Sequence, residues 1–479
     1  MHLAGSMLLV VAGRTMGDRG DRARRGERAG WAGKTRRREG EVVRSRWRTV
    51  TLRGCACLLA LCLTSAPALG EDGSEGLEAV RRALLAGHWD QAGVILERLR
   101  GGVEVDPLEM LFLTGMLSTA QGRDEQAIEA FRRILNQRPD LVRVRLELAR
   151  ALFRAGEDGA ARHHFERALG ARLPEAVEDN VRRYLEHIRR RRMWSLDVGV
   201  GILPDSNINT GSNQQYVTIA GLPFTLSSEA REQSGVGLLV SVAGTRSVDM
   251  GADWRLRGFG SLLRRDYAES RFDDMILRAG LGPRRVWGTG EMGIAPFVSE
   301  RRFGNDVFNR ATGVRADGGW QLGARWLGEG ALEWQRFQHP QQSARDGDVV
   351  WGFAGLRRLW DPVSSVLLGI DYYRDDAREA LYRQEATGWT AGHFRDWRVG
   401  LSTAATARVA FTQFEGLQPL FAEYRNDRLV TWSLVLTKRD WDIHGFSPAL
   451  SVTRHDNDSS IDLYTFQRWQ VLVALNGRL

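Results

Sequence analysis

From Trp194 to the end of the chain, apolar and polar positions alternate with a period of two, segment after segment. Trp432, Leu434 and Leu436 share one face of the stretch 431–437, and Thr431, Ser433, Val435 and Thr437 share the other. Phe446, Pro448, Leu450 and Val452 stand opposite Ser447, Ala449, Ser451 and Thr453, and near the C-terminus Trp469, Val471, Val473 and Leu475 stand opposite Gln470, Leu472, Ala474 and Asn476. Side chains of a strand point alternately to its two faces, so each segment becomes a ribbon with one greasy and one wet side. That pattern, kept up to the chain end, suits a transmembrane barrel with lipid outside and water inside. About 14 strands are expected, at 194–203, 232–246, 251–264, 272–283, 286–299, 312–326, 331–339, 348–360, 363–373, 392–402, 405–415, 428–437, 443–454 and 462–475.

The links between these segments alternate too. Even-to-odd links are short (Ser247 to Met250, Leu327 to Gly330, Asp361-Pro362), and odd-to-even links are long and polar (Pro204 to Arg231, Arg374 to Ala391, Gly416 to Asp427). Outer-membrane barrels have tight periplasmic turns and longer outer loops. An even strand count puts both barrel ends on the periplasmic side. Trp194, Trp254, Trp287, Trp360 and Trp469 fall at strand ends, where membrane-interface girdles are built. A soluble sandwich or propeller is the alternative, but no blade-like repeat is visible and so many outward apolar residues are a liability in water.

Upstream, between about 77 and 192, the period changes to that of helices. Gly115, Gly122, Ala127, Phe131 and Pro139 recur about 34 residues later as Ala149, Gly156, Ala161, Phe165 and Pro174, and a more degenerate copy supplies Gly87, Ala92 and Leu96. Small residues let two antiparallel helices approach, and an aromatic fills the groove between them. The spacing resembles the tetratricopeptide repeat, whose stacks present a concave face to peptides or protein segments; a generic helical bundle is the alternative. Arg143, Arg150 and Arg154 are candidates for that face, or else form a solvated one. A closing helix is expected from Glu175 to Arg192, ending in four arginines that either meet lipid head groups or are simply a solvated helix end.

The chain begins differently. Arg44, Arg46, Arg48 and Arg53 precede an apolar run from Cys55 to Leu63, then Ala66-Pro67-Ala68-Leu69-Gly70 and Glu71-Asp72. This reads as a secretory signal cleaved after Gly70. The run is too short for a spanning helix, which needs about 18–20 residues. The Arg-rich stretch before it is longer than an ordinary n-region and contains nothing foldable, as a start site placed too far upstream would give.

That expectation changes the electrostatics. The whole chain holds 67 Lys+Arg and 59 Asp+Glu among its 479 residues, a net charge of +8. Residues 1–70 hold 14 basic and 5 acidic side chains, which leaves 53 against 54. The basic character therefore belongs to the leader, and net charge gives no support to a nucleic-acid partner. Cys55, Cys57 and Cys62 also lie there, so the remainder has no disulfide, catalytic thiolate or cysteine metal ligand. Cysteine-free chemistry suits a protein exported through an oxidising periplasm.

Enzyme signals are weak. Gly288-Thr289-Gly290-Glu291-Met292-Gly293 matches a dinucleotide fingerprint, but strand alternation runs through it and no helix follows. Neither a nucleophile elbow nor a zinc-protease or phosphate-loop motif is present. His163 and His164 are adjacent on a predicted helix, so they point about 100° apart and are not an i,i+4 metal pair. No catalytic residue, cofactor or metal site is expected.

After the first predicted strand comes Val198-Gly199-Val200-Gly201-Ile202-Leu203-Pro204-Asp205-Ser206-Asn207-Ile208-Asn209. With the repeats before it, this stretch resembles the surface lipoprotein assembly modulator (Slam) family, the outer-membrane component of the type XI secretion system. The resemblance covers most of the chain after the leader. It implies an outer-membrane translocon without enzyme activity that carries lipoproteins, or soluble haem- or metal-binding proteins, to the cell surface. The partners it implies are that cargo, outer-membrane lipids, periplasmic chaperones and the barrel-assembly machinery. The C-terminus, Asn476-Gly477-Arg478-Leu479, departs from the aromatic ending that the assembly machinery usually reads, and a weaker assembly signal is expected. Asp205, Ser206, Asn207 and Asn209 are candidates for cargo or lumen contact; as short polar side chains in a row they would equally cap backbone groups where a strand turns away. A repeat-plus-barrel exporter of polysaccharide, or a passive pore, is the rival reading. The expected chain is thus α + β and multidomain: a leader and signal peptide over 1–70, a periplasmic α-helical tetratricopeptide-like domain over 71–193, and an antiparallel outer-membrane barrel over 194–479.

Overall fold

The computed structural model describes residues 71–102, 105–191, 193–219, 221–441 and 446–478. The expected signal peptide, Arg192 of the arginine run and Leu479 lie outside the described residues. Within them the chain forms two compact units, 71–134 and 135–478.

The first unit contains α1 (Glu71–Leu85), α2 (Trp89–Gly102), α3 (Pro107–Ala120) and most of α4 (Asp124–Gln137). Its core is built from Leu77, Val80, Ala92, Leu96, Leu113 and Leu117. Asp106 starts α3 by accepting a hydrogen bond from the Leu108 amide at 2.9 Å, with Pro107 at the first helical position, where a missing N–H costs nothing. The expected small-residue approach is present: a Cβ on Gly115 would stand 2.6 Å from the Phe131 ring. Each helical pair turns on a glycine with positive φ, Gly87 at 78°, Gly122 at 72° and Gly156 at 85°. Side chains disfavour that backbone region, so a glycine recurs once per pair.

The second unit begins with α5 (Val142–Ala155), α6 (Asp158–Ala168) and α7 (Glu175–Arg191). Ala149, Ala161 and Phe165 are buried where α5 and α6 meet, and the Phe165 ring stacks on Tyr184 of α7 at 4.8 Å.

Two residues after α7 the barrel starts. Its strands are β1 (Trp194–Asp205), β4 (Gly235–Gly251), β5 (Trp254–Tyr267), β6 (Asp274–Trp287), β7 (Gly290–Phe303), β8 (Asp306–Gln321), β9 (Trp326–Gln338), β10 (Gly347–Leu359), β11 (Ser364–Ala377), β12 (Gln384–Asp396), β13 (Leu401–Gln418), β14 (Glu423–Lys438), β15 (Phe446–Ser459) and β16 (Phe466–Arg478). All neighbours pair antiparallel, and β1 closes on β16 to give the 14 strands expected. No helix among the described residues is long and apolar enough to cross a membrane; the strands supply the apolar surface. Val200 and Ile202, Val236 and Leu238, Leu368 and Ile370, Val473 and Leu475 all point outward and are exposed. Lipid is the solvent that such a belt requires.

Short links are present, but two of the three expected are displaced: Ser247 to Met250 lies in β4 and Leu327 to Gly330 in β9, the links being 252–253 and 322–325, while Asp361-Pro362 falls within the link 360–363. The long links do not all appear. Most of the stretch from Arg374 to Ala391 is strand, as are the two ends of the stretch from Gly416 to Asp427, and β7 and β8 are joined by two residues only. At this far end both faces of the strands are wet, so there is no polar contrast for alternation to reveal. Cross-strand ion pairs run along it instead, such as Arg336–Asp348 at 2.7 Å and Arg310–Glu300 at 3.0 Å. The link that remains long is 206–234, which contains a small hairpin, β2 (Tyr216–Ile219) with β3 (Leu222–Thr225), outside the barrel sheet.

Candidate functional site

The polar sequence after β1 folds into a knot at the far end of the barrel seam. Pro204 has no N–H to give to β16, and the β1–β16 pairing lapses at Leu203 and Pro204 while the register is kept from Ile202 to Asp205. Side chains take over from the missing ladder bond. Asp205 receives Arg468 Nε at 2.9 Å and Gln470 Nε2 at 2.8 Å from β16, and the Tyr267 hydroxyl at 3.3 Å from β5. Ser206 donates its N–H to the Trp469 carbonyl and accepts the Trp469 N–H on its hydroxyl, both at 2.9 Å.

The two asparagines tie the loop to the seam. Asn207 accepts from the Gly211 amide and donates to the carbonyls of Gly211 and Gln467, at 2.9, 2.9 and 3.1 Å. Asn209 accepts from Gln233 N–H at 3.0 Å and donates to Arg231 and Glu229 carbonyls at 2.7 and 3.1 Å. Asp205 and Asn207 are buried, so in this state the motif holds the 206–234 link against the seam through bonds within the chain. These partners lie up to 265 residues away, which no reading of the motif by itself reveals.

The inner face carries charge in matched groups. Asp274 sits between Arg301 at 2.8 Å and Arg265 at 3.1 Å, Arg408 meets Asp371 at 2.9 Å, and Arg284 meets Asp317 at 2.8 Å. Glu333 on β9 pairs with Arg315 at 3.2 Å on the adjacent β8 and with Arg278 at 2.6 Å on β6. β6 and β9 are three strands apart, so the Arg278–Glu333 pair reaches across part of the lumen.

At the tight-turn end a second charged group forms around Asp396, the last residue of β12. Arg145 of α5 lies 3.7 Å from its Oδ2, Arg439 of the β14–β15 link 3.8 Å, and Arg167 and His163 of α6 3.9 Å each. These separations exceed hydrogen-bond length, so charge rather than directed bonding holds the group together. Ser402 gives Oδ1 its one short bond, at 2.8 Å. Arg145 is fully buried and also donates to the Pro139 carbonyl at 2.6 Å. Burial brings its pKa down to about 10, so it stays charged at neutral pH. Burial also holds the His163 imidazole below its ordinary range, and His164 further below.

Arg143, Arg150 and Arg154 all lie on α5. Arg150 bonds Glu147 at 3.3 Å and Arg154 is exposed, while neither belongs to the group at Asp396. Sequence reasoning passed over Arg145, although its place beside Val144, Leu148 and Leu152 puts an arginine on the apolar side of an amphipathic helix. The fingerprint-like stretch 288–293 is a tight turn and the start of β7, in agreement with the strand reading. Among the described residues no group of three or more His, Cys, Asp or Glu is arranged to hold a metal.

A tetratricopeptide-like helical array followed in the chain by a closed 14-strand barrel with an apolar outer belt and a charge-paired interior defines an outer-membrane protein of the repeat-plus-barrel class. The family model described as surface lipoprotein assembly modifier matches residues 194–478, and the model for that family's N-terminal tetratricopeptide repeats matches residues 69–165. The chain belongs to the surface lipoprotein assembly modifier family. It is 23% identical over 401 residues to surface lipoprotein assembly modifier 1 of Neisseria meningitidis, covering 80% of this chain and 78% of the relative. It is 22% identical over 429 residues to the hemophilin secretion modulator of Acinetobacter baumannii, covering 84% and 85%. A surface lipoprotein assembly modifier of Pasteurella multocida is 24% identical over 318 residues, covering 62% and 60%.

Proposed function

We propose that this chain is an outer-membrane translocon that delivers lipoproteins or related soluble cargo proteins from the periplasm to the cell surface. The observation that carries the reading is the joining of a short helical-repeat array to the tight-turn end of a closed barrel, in an order matched by both family models. Tight turns mark the periplasmic rim in barrels of this kind. Residues 71–193 then stand in the periplasm, downstream of a signal peptide removed after Gly70. There the repeats hold cargo that barrel-assembly factors and chaperones also serve. The relatives' names point to two cargo types, a surface lipoprotein and a hemophilin. Chemistry on the cargo is not part of the function.

The test is co-expression in a heterologous Gram-negative host with candidate cargo encoded nearby, followed by protease shaving of intact cells. Cargo should become protease-accessible only when the chain is present. Correct barrel assembly with every candidate still sheltered would overturn the reading.

A further inference from the structure

The helices α5–α7 touch the tight-turn rim at points that lie on opposite sides of it. At one side, Arg190 pairs with Asp253 of the β4–β5 link at 2.7 Å, and Arg255 of β5 donates to the Arg189 carbonyl at 2.6 Å. Farther round, a Cβ on Gly288 of the β6–β7 link would be 3.6 Å from the Glu186 carboxylate of α7. Across the mouth, Gly170 after α6 sits so close to Asp361 of the β10–β11 link that a Cβ would fall 2.3 Å from its carbonyl oxygen. Beside it the Asn136 carbonyl accepts the Val399 N–H of the β12–β13 link at 2.6 Å, and Arg145, His163 and Arg167 surround Asp396. Counted round the sheet order, the β4–β5 and β12–β13 links are eight strands apart one way and six the other, in a ring of 14. That is close to a full diameter.

We propose that α5–α7, together with the C-terminal end of α4 that carries Asn136, form a stopper lying across the tight-turn mouth, closed in this state and released at the Asp396 side. Each side carries a 2.6 Å bond to a main-chain carbonyl, so what fixes the direction of opening is the chain itself: on the Asp253 side α7 runs into β1 within two residues, and covalent continuity tethers it. On the Asp396 side three arginines share one carboxylate at 3.7–3.9 Å, and Arg145 Nε, Arg167 Nη1 and Arg439 Nε are buried without a hydrogen-bond acceptor. Buried donors in that condition favour any movement that lets them meet a better acceptor or water. The stopper therefore hinges at α7 and swings from Asp396. A carboxylate-bearing segment of cargo is the chemistry that would compete for those arginines. The idea extends the translocon reading, but its first test needs no cargo, so the two can fail separately.

Purified full-length chain in planar bilayers should conduct poorly. Asp396→Asn, which keeps the shape and removes the charge, should raise open probability by about tenfold or more. A second variant guards against misassembly. Because all three cysteines lie at 55, 57 and 62, the pair Met193→Cys with Ser247→Cys, whose main chains are bonded at 2.6 Å where α7 enters β1, supplies the only thiols after Gly70 and pins the hinge side, while Asn136→Cys with Val399→Cys pins the release side. Placed in the Asp396→Asn chain, the second pair when oxidised should keep the barrel closed and reductant should restore opening; oxidising the first should leave opening unchanged. A parent chain that is already fully conducting, or opening that survives the oxidised 136–399 pair, overturns the stopper.

Discussion

Asp205 and Asp396 are both buried carboxylates at the ends of barrel strands, yet they are held in opposite ways. Asp205 is grasped by directed bonds at 2.8–2.9 Å from Gln470 and Arg468, residues of the barrel itself. Asp396 has one such bond, from Ser402, and otherwise faces cations standing off at 3.7–3.9 Å, two of the arginines borne by helices. Short charge-assisted bonds give a single geometry, whereas a carboxylate shared at longer range gives attraction without a fixed register. One end of the barrel is built to stay shut along its seam. The other is built to let a packed element go.

The largest test of this contrast is Asp205→Ala. It leaves Arg468 buried without its partner at a closure already short of one ladder bond, a loss of about 3–5 kcal/mol. The folded, heat-modifiable band in unboiled SDS gels should fall sharply; an unchanged band would mean the seam closes without the knot. Asp396→Ala should leave that band intact and cost the docked helices about 1–3 kcal/mol. Hydrogen exchange should rise in α5 and α6 and not in β12. A smaller effect is expected from Asn209→Ala, about 0.5–1.5 kcal/mol, confined to the 206–234 link and read as faster proteolysis of that link on intact cells.

The smallest effect is on acidity. His163 and His164 are held below their ordinary range by burial, so undocked helices take up protons first as pH falls through about 6.5. The histidine contribution to docking is complete above that pH and is lost below it. The other charged groups facing these rings are Arg145, Arg167, Asp396 and Arg439. Exchange protection of α6 should decline between about pH 7 and pH 5. Protection that is flat over the window would show that neither ring changes charge on docking.

Alternation made the strands legible because each spanning segment has lipid on one side and water on the other. Where that contrast ends, legibility ends with it, as at 384–391 and in the β2–β3 hairpin. The repeat was readable from Gly87, Gly122 and Gly156 because a left-handed turn imposes its residue locally. Asp205 was singled out by its neighbours in sequence, but Arg468 and Gln470 were hidden by their distance along the chain. Asp396 carried no local sign at all. The misplaced Arg145 was the one clue to that group, and it required knowing which helix face packs.

Most of the barrel's tryptophans gather at one rim and its tyrosines toward the other. Eight of the barrel's tryptophans (194, 254, 287, 320, 326, 360, 397 and 441) lie at or beside the tight turns, Trp469 lies at the other end, and every tyrosine after 194 (216, 267, 372, 373, 382, 424 and 464) lies toward that other end. Closure of the seam adds a dimension of time to this arrangement. The knot joins Asp205 to residues 263 and 265 positions later, so it cannot form until the last strand has arrived. Long-range closure of that kind is slow. Until then β1 keeps a free edge, and the sheet is not yet a ring.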